Sequence, residues 1–216
     1  MPKILFCGDP HSEFGQIISA AHAHRPDAVV LLGDIEATRP LDIELAAIRD
    51  LTEIWWIHGN HDTDTPQPYA FLFDSALGDR NLHGRVVDIA GVRIAGLGGI
   101  FRGKIWAPEK GQALYESPQQ YLAECGKENY WRDGLPLRHR SSIFPSEVQA
   151  LSAREADILV THEGPDLHPY GSPALTALAV KMNVAAAFHG HHHEDIAYPG
   201  GVWRGVGLRQ VYLWSR

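Results

Sequence analysis

The stretch "EIWWIHGNHD" (residues 53–62) sets the reading of the whole chain. Ile54, Trp55, Trp56 and Ile57 are apolar in succession, and the run ends in Gly-Asn-His-Asp. A run this short, apolar at consecutive positions, fits a strand buried on both faces, as in a parallel sheet. The polar tetrad then falls in the loop at the strand's C-terminal end.

Two earlier segments repeat the pattern. "DAVVLLGD" (27–34) reads as a buried strand ending in Gly-Asp, and "KILFC" (3–7) runs into "GDPH". Between them, "SEFGQIISAAHAHR" (12–25) has helical spacing, with Phe14, Ile17, Ile18 and Ala21 on one face and Ser12 as N-cap. "LDIELAAIRDL" (41–51) reads as a second amphipathic helix. The first sixty residues are thus predicted as β-α-β-α-β. Parallel strands joined this way deliver their C-terminal loops to one edge, where open α/β sheets bind ligands.

The later chain is more varied. "GRVVDIAGVRIAGLGGI" (84–100) predicts two strands around a turn at Ala90-Gly91. Residues 101–142 lack clear periodicity and read as a long insertion with a little helix. "PSEVQALSA" (145–153) and "SPALTALAVKM" (172–182) are predicted helices. "ADILVTHEGP" (156–165) and "VAAAFHGHHH" (184–193) are predicted as strand then loop, and 195–214 as closing strands. With no repeat, low-complexity run or linker, residues 1–216 are expected to form one domain with an insertion at 101–142.

Composition sets bounds. The 216 residues suffice for a well-buried core. No stretch is apolar for the length of a membrane span, and the N-terminus reads as a strand, not a signal peptide. Cys7 and Cys125 are the only cysteines, which suits a reduced cytoplasmic protein. The formal charge of −7 argues against a broad nucleic-acid surface, but not against a phosphate substrate held beside bound cations.

Five loops stand out: Asp9-x-His11, Gly33-Asp34, Gly59-Asn60-His61-Asp62, His162, and Gly190-His191-x-His193. Singly each is weak, because an Asp after a strand often only shapes a turn. Together they assemble oxygen and imidazole donors with no thiolate. That set suits Mn, and also Fe, Zn or Ni, rather than a structural zinc site. There are too many donors for one ion. Two ions sharing a carboxylate would stabilise both the attacking and the leaving oxygen at phosphorus.

In this order the motifs "GDPH", "LLGD", "HGNHD", "VTHEG" and "HGHHH" resemble the calcineurin-like metallophosphoesterase superfamily over nearly the whole chain. The resemblance implies an α/β fold, a four-layer αββα sandwich of two mixed β-sheets flanked by helices. It implies two divalent ions: Asp9, His11 and His193 on the first, Asn60, His162 and His191 on the second, and Asp34 bridging. His61 would contact the phosphate and donate a proton, with Asp62 orienting its ring. Asn60 and His61 would both meet substrate. Hydroxide generated between the ions would attack phosphorus, with no covalent phosphoenzyme.

The substrate class is narrowed by two comparisons of motif. Phosphoprotein phosphatases of the superfamily extend the second motif to Gly-Asp-x-Val-Asp-Arg-Gly, whereas this chain reads "GDIEATRP". In contrast, "NLHGRVVDIAGVRIAGLGGIFRG" (81–103), "LRHRSSIF" (137–144) and "ADILVTHEGP" look like the RNA lariat debranching enzymes, although those commonly carry Cys where this chain has Asp9. The resemblance implies a phosphodiesterase acting on a nucleotide or nucleic acid such as RNA. A phosphomonoesterase with the same chemistry and an idle binding protein are the alternatives. Within the insertion, basic residues alternate with aromatics, but five acids dilute them. Packing of those aromatics onto the domain is the favoured reading, with Arg138, His139 and Arg140 as candidate substrate contacts. Of the clustered histidines, His191 and His193 are expected to project one way from an extended segment. His192 would project the other way and be dispensable, and His189 would support the loop.

Overall fold

The computed structural model describes all residues 1–216. Ten strands form two sheets: β1 (Lys3–Cys7), β2 (Ala28–Leu32), β3 (Glu53–Ile57), β4 (Arg85–Ile89), β5 (Val92–Leu97), β6 (Ile158–Thr161), β7 (Ala186–His189), β8 (Ile196–Ala197), β9 (Trp203–Gly205) and β10 (Val211–Ser215). The helices are α1 (Gly15–His24), α2 (Leu41–Glu44), α3 (Pro66–Phe73), α4 (Pro118–Glu124), α5 (Pro145–Ser152) and α6 (Pro173–Met182). One sheet has the order β10-β1-β2-β3 and the other β4-β5-β6-β7-β9-β8. Both are mixed: β10 is antiparallel to β1, β4 to β5 and β8 to β9, while the remaining pairs are parallel.

The apolar strands explain the layering. Side chains alternate faces along a strand, so an all-apolar strand must be covered twice. Ile4 and Phe6 of β1, Val30 and Leu32 of β2, and Trp55 and Ile57 of β3 pack inward on Ile94, Ile158, Val160 and Phe188 of the second sheet. Phe6 stacks on Phe188 at 4.0 Å. Each such ring or branched chain removed from water adds about 1.5–3 kcal/mol. The opposite parity, Leu5, Val29, Leu31 and Trp56, packs outward under α1 and the α2 segment. On the far side Ala95, Leu159 and Ala187 pack under α5 and α6. The result is the expected four layers.

Two local expectations are corrected, and a third holds. Ser12 does not cap α1. It has a left-handed backbone (φ 67°), and its hydroxyl donates to the Glu36 carbonyl at 2.7 Å, so the helix starts at Gly15. The 41–51 segment is helical only over Leu41–Glu44 and continues as tight turns, with Ile48 N–H bonding Leu45 and Leu51 N–H bonding Ile48. Leu45 and Ile48 stay fully buried, so the apolar face survives the change of helix type. The aromatics of the insertion pack against each other and the body: Phe101 on Trp106, Tyr115 on Tyr121, and Trp131 on Tyr69.

Candidate metal centre

Parallel strands β1, β2 and β3, with β6 and β7 of the other sheet, end at one rim. Asp9, Asp34, Asn60, His162 and His191 follow them directly. Asp9 is fully buried; its Oδ1 accepts the His191 N–H at 3.0 Å and its Oδ2 has no partner. Asp34 Oδ1 accepts the His61 N–H at 2.9 Å. His162 is buried, and its Nδ1 donates to the Leu32 carbonyl at 2.8 Å. That bond fixes the tautomer and leaves Nε2 free to coordinate. Nε2 lies 3.3 Å from Asp34 Oδ2 and 3.3 Å from Asn60 Oδ1. Donor atoms of Asp34, His162 and His191 lie within 4.8 Å of one another. Beside them, His11 Nε2 and His193 Nε2 face each other at 3.2 Å. All seven sequence-predicted ligands are therefore brought together.

The donor set fits cations. Carboxylate and amide oxygens converge on one imidazole nitrogen, and oxygens that only accept repel unless a positive centre sits between them. The unpartnered Asp9 oxygen in a buried site is a second sign, since such groups are costly when unsatisfied. The charges agree. Burial alone would lower the His162 imidazole, but the Asp34 carboxylate, its hydrogen bond and Asp9 push it up to about 10. Burial would likewise raise the Asp34 carboxyl, yet His162 and the His61 amide hold it below the usual range.

The backbone is bent to achieve this. Asp9, His11, Asp34, His191 and His193 all have positive φ. Non-glycine residues adopt that conformation at a cost of about 1–3 kcal/mol each, and such strain clusters at functional sites. Two glycines give room: a Cβ on Gly59 would sit 2.1 Å from Asp34 Oδ1, and one on Gly190 2.6 Å from Asp9 Oδ1.

Comparison with known proteins bears on this centre. Residues 2–195 match the calcineurin-like phosphoesterase family. The chain belongs to that family. It is 45% identical over 195 residues to an uncharacterized protein of Haemophilus influenzae, covering 90% of this chain and 85% of that one. Among solved structures it is similar in fold to TT1561 of Thermus thermophilus, with a TM-score of 0.60, 16% identity, and 99% and 98% of the two chains covered. It is also similar in fold to a 5′-nucleotidase precursor from the same organism, at a TM-score of 0.50 and 15% identity, covering 98% of this chain and 50% of that one. Members of this metal-dependent family usually carry two ions. The protein is thus a hydrolase acting on phosphoric esters, and none of its helices is long and apolar enough to cross a membrane.

Around the ligand cluster of this phosphoesterase, some expectations change. Asp62 does not orient His61. It is fully buried, and its carboxylate accepts N–H groups from Ile35 (2.9 Å), Glu36 (2.8 Å) and Gly59 (2.7 Å). Burial, then the nearby Asp34 charge, push its carboxyl up to about 7. The residue that holds the His61 ring is Asp64, whose Oδ2 lies 2.7 Å from His61 Nδ1. His61–Thr63 is a 3-10 turn, and residues three apart eclipse in such a turn, so His61 meets Asp64 while Asp62 faces inward. Although burial lowers the His61 imidazole, Asp34 and Asp64 raise it above its ordinary value.

Arg140 is also reassigned. Its guanidinium donates to Tyr69 Oη (2.9 Å) and to the carbonyls of Trp131 (2.8 Å) and Leu135 (3.3 Å), so it ties the insertion to α3. Arg138 and His139, in contrast, line an open recess. Two carboxylates were not singled out from sequence. Glu36, two residues after Asp34, pairs with His11 Nδ1, and Glu163, next to His162, lies 3.9 Å from His191 Nε2 and 3.4 Å from His192 Nε2. Their only signal was adjacency to a ligand.

His192 is not set apart from His191 by alternation on an extended segment: donor atoms of Glu163, His191 and His192 lie within 4.8 Å of one another. The positive φ of His191 and His193 turns the chain, and His192 stacks on His168 at 3.8 Å. His189 supports the loop, its Nε2 lying 3.0 Å from Tyr198 Oη. His192→Ala is expected to weaken metal binding by no more than about tenfold, the low end for a residue behind a ligand. His191→Ala is expected to lose an ion outright. Metal content after desalting separates them, and equal losses would refute the division.

Proposed function

We propose that this protein is a dinuclear metal-dependent phosphodiesterase that hydrolyses a nucleotide or nucleic-acid phosphodiester. The observation that carries the dinuclear reading is the buried Asp9–Asp34–His162 cluster, flanked by the facing His11 and His193 nitrogens on one side and by Asn60 and His191 on the other. Asp9, His11 and His193 would hold one ion, Asn60, His162 and His191 the other, with Asp34 shared. When bound, two divalent ions, Mn foremost among those suited to oxygen and imidazole donors, would activate water and neutralise phosphoryl charge.

The chain's own groups supply the rest. Asn60 and His61 bind the phosphoryl group at the turn that follows β3. Asp64 fixes the His61 ring through Nδ1, which leaves Nε2 to carry a proton. Water gives up one proton to solvent as its oxygen bonds to phosphorus, the bond to the leaving oxygen breaks, and protonated His61 Nε2 passes its proton to that oxygen and regains one from solvent. The diester reading rests on the likeness of the 81–103 hairpin and 156–165 loop to the lariat debranching enzymes.

Two measurements test the reading. With Mn, Zn, Ni or Fe, bis(p-nitrophenyl) phosphate is expected to be cleaved with a higher kcat/KM than p-nitrophenyl phosphate. The reverse order would favour a monoesterase, and no turnover with any metal would sink the enzymatic mechanism. Metal at a hundredfold above its Kd is expected to stabilise the chelator-stripped protein by about 2.7 kcal/mol, or roughly 5–10 °C in Tm. An unchanged Tm would count against the site.

A further inference from the structure

The loop after β5 and the 3-10 turn Leu137–Ser141 enclose a recess of about 480 Å³ beside the metal centre. Arg102, Lys104, Arg138 and His139 line it with Ile100, Phe101 and Gly103, and it contains no carboxylate. The protein carries a net charge of −7 and its ion-paired arginines lie elsewhere, at Arg39, Arg80, Arg93, Arg132 and Arg204. Three cations gathered in a recess that no carboxylate lines repel one another, an arrangement that an anion relieves. Burial and the Arg138 charge both lower the Arg102 guanidinium, and burial with Arg102, Arg138 and Lys104 lowers the His139 imidazole.

Arg102 links the recess to the reaction site. It feels the charges of Asp64 and Asp34. One of its Nη atoms donates to Ser141 Oγ at 3.2 Å, and that hydroxyl lies 2.6 Å from Thr63 Oγ1 in the His61 turn. Its Nε is buried with no partner. An arginine so held, with a spare donor, matches the oxygens of a phosphate better than a lysine alone would.

We propose that this recess binds a second phosphate of the substrate, so that the preferred substrates are phosphate esters of nucleotides carrying a further phosphate. The inference rests on the phosphoesterase reading of the centre and adds the substrate's second anchoring point. Arg102 holds that phosphate from the side of His61 and Asp64, and Lys104 and Arg138 close on it from the solvent side.

Calorimetry on the Mn-loaded protein tests this without requiring turnover. Thymidine 3′,5′-bisphosphate is expected to bind at least about tenfold more tightly than thymidine 5′-monophosphate, the scale of one charged hydrogen bond. That ratio is expected to fall toward one in Arg102→Gln and in Lys104→Gln. Lys104 is exposed, so the second variant keeps the fold even if loss of the Ser141 contact compromises the first; Tm verifies this. Equal affinities in the wild type, or a ratio unmoved in Lys104→Gln and a folded Arg102→Gln, would overturn the proposal. A second equivalent of inorganic phosphate lost in Arg102→Gln, with no preference for the bisphosphate, would assign the recess to free phosphate and also overturn it. Failure of the aryl ester assays with the bisphosphate preference intact would strike the catalytic reading alone.

Discussion

His61→Ala is expected to lower kcat by about 10²–10⁴-fold, the range for loss of a general acid. The side chain is 46% exposed and its ring bonds only Asp64, so the variant should melt like the wild type and retain its metals. The deficit should depend on the leaving group. A p-nitrophenolate leaves readily without a proton, whereas a nucleoside alkoxide does not. The loss is therefore expected to be larger with a dinucleotide than with thymidine 5′-(p-nitrophenyl phosphate). Equal deficits would show that His61 serves only to bind the phosphoryl group. Wild-type turnover across pH would remove it from the mechanism. Asp64→Asn should reproduce the defect in weaker form, at about 10–100-fold, because it unseats the ring without removing it.

Asp62→Ala is expected to act on stability. It would leave the N–H groups of Ile35, Glu36 and Gly59 without their acceptor in a closed interior. At about 1–3 kcal/mol for each orphaned donor, the loss should reach about 3 kcal/mol or more, a fall of roughly 6–12 °C in Tm. Asp62→Asn should also destabilise, because one of its two terminal groups would present N–H where an acceptor is needed. Asp64→Asn, at the surface, should melt within a degree or two of wild type. An Asp62→Ala protein with wild-type Tm and lost activity would return Asp62 to the reacting groups.

The contrast between Asp62 and Asp64 shows how far the sequence could be read. β1, β2 and β3 were legible because they are apolar at consecutive positions, and only a doubly covered strand tolerates that. The position of the candidate ligands was legible for a related reason: they follow such strands, and parallel strands end at one rim. Ser12, Arg140 and Asp62 were misread because each belongs to a chemical type with an obvious local role. Ser12 is a capping residue by type, but a left-handed backbone aims its hydroxyl at Glu36. Arg140 is basic and follows His139, yet the rings of Tyr69 and Trp131 and the carbonyls around them claim its guanidinium.

Residue order was enough to place Asp9, Asp34, Asn60, His162 and His191 after apolar strands, because burial pattern and strand polarity act along the chain, while the two-sheet sandwich and the full donor set with His11 and His193 followed from the resemblance of the motifs to the calcineurin-like family. What each polar side chain faces was decided in three dimensions. Asp64 rather than Asp62 meets His61, Glu163 stands behind His191 and His192, and Arg102 joins Arg138 across some thirty-five intervening residues. Those pairings depend on positive-φ turns and on contacts between distant loops, where a single dihedral rotates a side chain from solvent to core and leaves no periodic trace in the sequence.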